Sequence, residues 1–216
     1  MNIPEAQHEL TLYIDLEWNC WDGPPIPGRY QEIIEIGIVE MNLATLETTR
    51  EKDYLIRPRP LDISAACTQI TGLTAEDLKS ASPFPAVIEQ FATHFSPREK
   101  LCCTWGSDAH VLASACSRYK IPCPVRNRLD VSQLFWHCFL LRQQPSLRTA
   151  IEIAELPFDR IAHTALADAR NTARVHAEII RRMRRLPSPV PTQPIPTDVA
   201  RQPTILAEKL RRLLNQ

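Results

Sequence analysis

Apolar positions in the first sixty residues fall into three runs with the character of β-strands. Residues 10 to 20, around "LYIDLEWNC", read as a buried strand, and "EIIEIGIVEMN" at 32 to 42 reads as a second, partly alternating one. The "WDGPPIPGRY" between them, with three prolines and two glycines, is a loop. "TTREKDYLIRPRP" supplies a third strand ending at Pro58. Three successive strands with short connections predict an antiparallel meander.

Beyond it the period changes from two to 3.6. "SAACTQITGLTAEDL" holds short helical segments around Gly72, and in "FPAVIEQFATHF" the apolar Val87, Ile88, Phe91 and Phe95 share one helical face. "KLCCTWG" is a fourth strand, followed by a helix in "SDAHVLASACSRYKIP" with Ser107 or Asp108 at its N-cap. "RLDVSQLFW" runs from a fifth strand into a helix, "SLRTAIEIAEL" is another helix, and "DARNTARVHAEIIRRMRRL" is a long final one. Strands first, then strand and helix in alternation, predict an α/β domain: a mixed five-stranded sheet flanked by helices over residues 1–186.

After Leu186 the composition shifts to "PSPVPTQPIPTDVARQP", a proline-rich linker at 187–203. The last segment, 204–216, places Ile205, Leu206, Leu210, Leu213 and Leu214 on one stripe. That amphipathic helix is too short to stand alone, so it is expected to dock on this chain, on a second copy, or on a protein partner.

The chain has 216 residues, 44% hydrophobic and 23% charged, with a formal net charge of +0, so any nucleic-acid site must come from local clustering of charge. No stretch approaches the roughly 20 apolar residues of a membrane span, and the first residues lack signal-peptide regions. No membrane association and a cytoplasmic location are the expectations. The seven cysteines show no C-x-x-C spacing and read as reduced thiols.

Against that background, Asp15 and Glu17 stand out. In a strand, residues two apart share a face, so two carboxylates lie side by side between Ile14, Leu16 and their neighbours. Their repulsion must be offset by a cation, by a basic partner, or by exposure to solvent. Asp108 in "TWGSDAHVL" and Asp168 in "HTALADARNTA" stand where a helix begins. Singly, each reads as a helix cap. Together with the strand pair, they form a set of four oxygen ligands of the kind hard divalent ions take. His163, five residues before Asp168, is a capping or solvated residue on its own and a general base if it sits beside an activated water.

The ordered set D-x-E in a first strand, Asp after "TWGS", and H-x-x-x-x-D before "ARNTA" resembles the DEDDh branch of the DnaQ-like 3′-to-5′ exonucleases, in particular the subgroup of the histone-mRNA 3′ exonuclease and its RNA-interference relatives. "EIIEIG", "LIRP" and "QITGLT" add to the likeness, which covers residues 10 to 186. The resemblance implies a ribonuclease H-like fold and two divalent cations, Mg2+ or Mn2+, held by Asp15, Glu17, Asp108 and Asp168, with Asp15 bridging both. It further implies that His163 deprotonates the attacking water. Leu16, Trp18, Ile70 and Leu73 match places where such enzymes pack the terminal nucleotide, although a core role suits Leu16, Ile70 and Leu73 equally. Trp18 follows the glutamate where the subgroup more often has a small residue.

The implied activity is metal-dependent removal of nucleoside 5′-monophosphates from single-stranded RNA or DNA 3′ ends, with RNA slightly preferred. The rival expectation is a non-catalytic nucleic-acid-binding or adaptor protein that keeps the fold. Arg170, Arg174, Arg181, Arg182, Arg184 and Arg185 on the last helix suit either phosphate contacts or the helix dipole and solvent.

Overall fold

A computed structural model describes residues 9–21, 28, 30–157 and 164–185. The meander forms as expected: β1 (Leu10–Trp18) pairs antiparallel with β2 (Ile33–Asn42), which pairs antiparallel with β3 (Glu47–Arg57). Two short helices follow, α1 (Ala65–Thr71) and α2 (Ala75–Lys79), separated at Gly72, whose φ of 75° ends α1 in the left-handed conformation. Ser64 caps α1, and Thr74 caps α2 with a reciprocal bond from Asp77.

The sheet has six strands rather than five. The addition is β4 (Ser82–Pro83), which pairs parallel with the end of β3. Two residues, one of them proline, carry no periodic signal, and proline is tolerated because this strand is at the sheet edge. Next come α3 (Phe84–Phe95), β5 (Leu101–Thr104), α4 (Asp108–Arg118), β6 (Asn127–Asp130), α5 (Val131–Cys138), α6 (Leu147–Ile153) and α7 (Ala165–Arg185). The strand order is β4-β3-β2-β1-β5-β6, with β5 and β6 parallel to β1. The sheet is therefore mixed, and the carboxyl ends of β1, β5 and β6 point the same way, where open α/β sheets place their sites.

Alternation along β1 divides the core. Leu12, Ile14 and Leu16 pack with Phe91 of α3 and Leu112 of α4, whereas Tyr13 packs with Phe135 of α5, Ile151 of α6 and Val175 of α7. The Tyr13 hydroxyl is 2.7 Å from Nδ1 of His176, which ties β1 to α7 inside the core. Burial pushes His176 down to about 4, so the imidazole is neutral there.

The described residues up to 183 belong to one compact unit. The proline-rich linker and C-terminal helix expected at 187–203 and 204–216 lie outside the described residues. Among the described residues no helix is long and apolar enough to cross a membrane. The seven cysteines are free thiols, and Cys67, Cys102, Cys103 and Cys116 are buried.

Candidate active site

The last turn of β1 toward its carboxyl end carries the acidic pair. Asp15 faces Gly37 of β2 in the ladder and Glu17 faces Glu35, after which the register shifts between Glu17 and Trp18. Such an irregularity turns the end of a strand and re-aims its side chains. Beyond it Asn19 fixes the exit: its amide bonds to Glu32 O at 3.0 Å, and its Oδ1 accepts the Glu32 amide at 2.7 Å.

Asp15, Glu17 and Asp168, from β1 and α7, each bring a carboxylate oxygen to within 4.8 Å of the others. Asp108 joins from the start of α4 and hydrogen-bonds Asp15. Two carboxyl groups can bond each other only with a proton between them, a sign of how closely like charges are packed here. Burial, then Asp108, Asp168 and Glu17, push Asp15 well above its ordinary value. Burial followed by Asp168 and Asp108 lifts Glu17 to about 7, and burial is also the main cause that lifts Asp108 to about 7.

The capping role open to Asp108 is not what the structure shows. Ser107 occupies the N-cap position without a side-chain cap bond, and Asp108 is the first helical residue, 7% exposed and turned to Asp15. The turn that presents it is held by a residue outside the acidic motifs. Asp130, at the end of β6, accepts from the Gly106 amide at 2.9 Å while its Oδ1 also accepts from the Ser132 amide at 2.9 Å to cap α5. Gly106 has φ 87°, a conformation suited to glycine. The signal for Asp130 was an Asp followed two residues later by Ser at a strand-to-helix junction, an Asx turn in "LDVS".

His163 lies outside the described residues. Trp18 is half-buried and lines a cavity of about 330 Å³ with Tyr30, His110, Val111, Ser114 and Arg118. Leu16 is 3% exposed and packs in the core on the opposite face of β1 from the carboxylates. Leu73 is half-buried against Ile34, Cys67 and Leu78, and Ile70 is 51% exposed on α1. Of the arginines on α7, Arg170 pairs with Glu51 of β3, and Arg181 and Arg182 pair with Glu178 on their own helix.

Four acidic side chains converge from three elements, with Asp15, Glu17 and Asp108 raised chiefly by burial, and the cluster is rich in hard oxygen donors. This donor set fits divalent cations. The exonuclease family model matches residues 12–176, from within the first strand through His176. The chain belongs to the exonuclease family.

Among relatives in that family, the zebrafish (Danio rerio) ERI1 exoribonuclease 2 is 29% identical over 198 residues, covering 80% of this chain and 35% of the relative. The human (Homo sapiens) 3′-5′ exoribonuclease 1 is 24% identical over 191 residues, covering 83% of this chain and 54% of the relative. The chain thus spans about a third of one relative and about half of the other. Its fold matches the nuclease domain of 3′hExo, a DEDDh family member bound to rAMP, with a TM-score of 0.75 at 24% identity over 82% of this chain and 94% of that one. Cell-death related nuclease 4 shares the fold with a TM-score of 0.67 at 17% identity, over 82% of this chain and 65% of that one.

Proposed function

We propose that the protein is a 3′-to-5′ exonuclease that hydrolyses single-stranded nucleic acid, RNA slightly preferred over DNA, and releases nucleoside 5′-monophosphates with Mg2+ or Mn2+ as its ions. The observation that carries this reading is the convergence of the Asp15, Glu17 and Asp168 oxygens within 4.8 Å at the carboxyl end of β1 in an exonuclease-family chain. The exoribonuclease names of its relatives favour RNA.

Asp15, Glu17, Asp108 and Asp168 would hold two ions. Bound there, such ions supply Lewis acidity toward both oxygens of an in-line displacement at phosphorus. The chain's own groups do the rest. His163 takes the proton of the attacking water on an imidazole nitrogen, a role that suits histidine as a residue type. The four acidic groups would hold the ions as carboxylates, since protonated carboxyls are poor ligands. Trp18, with Ile70 and Leu73, offers apolar surface to the terminal base, which suits an enzyme that must accept any sequence. Free thiols fit a reducing compartment, and the cytoplasm is the location in this reading. A protein partner or second copy engaging the 204–216 segment belongs to the same proposal.

The experiment is degradation of 3′-labelled and 5′-labelled RNA and DNA oligonucleotides with Mg2+ or Mn2+, comparing wild type with Asp15→Asn and His163→Ala. Stepwise shortening from the 3′ end, lost in both variants, is the expected result. A wild type that binds oligonucleotide without shortening it under either ion would sink the proposal and favour a binding protein.

A further inference from the structure

The face of the sheet beneath α7 carries more than the metal-site carboxylates. Asp15, Gly37 and Asp53 lie directly opposite one another across β1, β2 and β3, and Glu17 lies opposite Glu35 two residues along. Directly opposed residues share a face, so these five positions form one patch. Gly37 is its low point. A Cβ there would overlap the backbone of Ala165 and Leu166, so the first turn of α7 rests on the sheet at the one position without a side chain.

Beside that notch Glu35 is 1% exposed, and its Oε2 accepts the backbone N–H of Ala165 at 3.1 Å. Ala165 is the first residue of α7, where amides have no acceptor within the helix. Thr164 serves the local end: its Oγ1 accepts from the Ala167 amide at 3.3 Å, and its carbonyl accepts from the Asp168 amide at 3.1 Å. Thr164 therefore explains why a helix starts here but not where on the sheet it starts. Glu35, 130 residues earlier in the chain, relates that start to β2 by a hydrogen bond, beside the Gly37 notch. Asp168 follows Ala165 by three residues, just under one turn, so it projects on nearly the same side as Ala165 and meets Asp15 and Glu17. A slip of one residue would turn it by about 100° and move it by about 1.5 Å along the axis.

We infer that Glu35 is a positioning residue for the carboxylate set: with the Gly37 notch it fixes where α7 begins on the sheet, and so brings Asp168 to Asp15 and Glu17. This rests on the metal-site reading above. Keeping a carboxyl group in this place is costly, because burial and then Asp53 push Glu35 up to about 8 while the Ala165 amide pulls it back. An apolar side chain would pack the patch without that cost, but it would leave the Ala165 amide buried without an acceptor.

The test uses the full chain and three variants. Glu35→Gln keeps a carbonyl acceptor, Glu35→Met keeps the volume without one, and Glu40→Gln, on the same strand, weakens a different buried cluster as a control for lost stability. Amide exchange of residues 165–171 is measured on the metal-free protein, and Mn2+ affinity by titration calorimetry. Glu35→Met should speed exchange of the first turn of α7 about tenfold and weaken Mn2+ about tenfold, with Glu35→Gln within about threefold of wild type in both. Glu40→Gln should leave Mn2+ affinity unchanged. Wild-type exchange in Glu35→Met overturns the inference. So does equal Mn2+ weakening by Glu35→Met and Glu40→Gln at matched stability, or a Glu35→Gln variant as defective as Glu35→Met. If the wild type binds no Mn2+, the metal reading fails on its own, and the metal-free exchange still decides whether Glu35 seats the helix.

Discussion

Two sets of acids, buried or half-buried on one sheet, are handled in opposite ways. Glu40, near the end of β2, is 2% exposed, and the chain surrounds it with its own donors: Arg50 at 2.8 and 2.9 Å, Lys100 at 2.6 Å and the Thr49 hydroxyl at 2.8 Å. Burial alone would raise its pKa, yet these bonds hold it down at about 2. Asp15, Glu17 and Asp108, at the carboxyl ends of β1 and β5, are acted on chiefly by burial and by other carboxyl groups, and all three are raised. Both sets must offset a cost of desolvation. Where the chain provides the countercharge, the acid is part of the scaffold; where it provides more acid, the countercharge has to arrive from solution.

The largest expected effect follows from removing one acid from the second set. Asp15→Asn should lower turnover by on the order of 10³-fold, because it takes away a ligand of the ions. The same change should leave the metal-free protein at least as stable as wild type, because it relieves crowding among like charges. A metal-free Asp15→Asn protein that melts well below wild type would break the contrast, since Asp15 would then be holding the fold together as Glu40 does.

Glu40→Leu is the reciprocal experiment. It should cost about 2 kcal/mol, less than a fully buried pair, because Arg50, 48% exposed on its side chain, can turn back to water while Lys100, at 15%, cannot. Turnover per folded molecule should be unchanged. Urea unfolding alongside a rate corrected for the folded fraction separates the two effects, and a rate falling further than the folded fraction would tie the two regions together.

The contrast was half legible in the sequence. Period-two and period-3.6 runs located the five longer strands and every helix of the described domain, and the spacing of Asp15 and Glu17 placed them on one face without any contact being known. What stayed hidden depends on residues far apart in the chain. Glu40 stands in an apolar run like Glu35, and nothing local says that Lys100, 60 positions on, will meet the first while the Ala165 amide meets the second. Asp108 read as a cap when taken singly and as a metal ligand with the strand pair, and the juxtaposition of β1 and β5 is what turns it to Asp15. Leu16 suited a nucleotide-packing position and a core role equally by sequence, and alternation along β1 puts its side chain in the core with α3 and α4.

Adding the missing countercharge sharpens the comparison from the other direction. Mg2+ or Mn2+ at tenfold over its dissociation constant should stabilise the wild type by about 1.4 kcal/mol through binding the folded state alone. Asp15→Asn should show little of that gain, and Glu40→Leu should show all of it from a lower starting point. Thermal melts with and without ion measure both. An equal gain in Asp15→Asn would place the bound ion somewhere other than this carboxylate set.

The smallest expected effect tests whether Glu40 is stabilising because it is charged. Thr49→Val removes one of its hydrogen bonds and should cost about 1 kcal/mol at neutral pH. Glu40 has a folded pKa of about 2, below its ordinary 4.5, so its contribution is fully present above 4.5 and is lost as pH falls through the folded value. Losing the Thr49 bond raises the folded value toward the ordinary one, so the variant gives up its share of that contribution at a higher pH than wild type does. The stability gap should therefore hold from pH 7 down to about 3 and narrow only as the pH falls through the two folded values, where Glu40 protonates in each protein. Urea midpoints at pH 7, 4.5 and 2 would follow it. A gap that stays constant down to pH 2 would mean that the hydroxyl serves the neutral acid as well as the carboxylate, and that at this end of the sheet geometry matters more than countercharge.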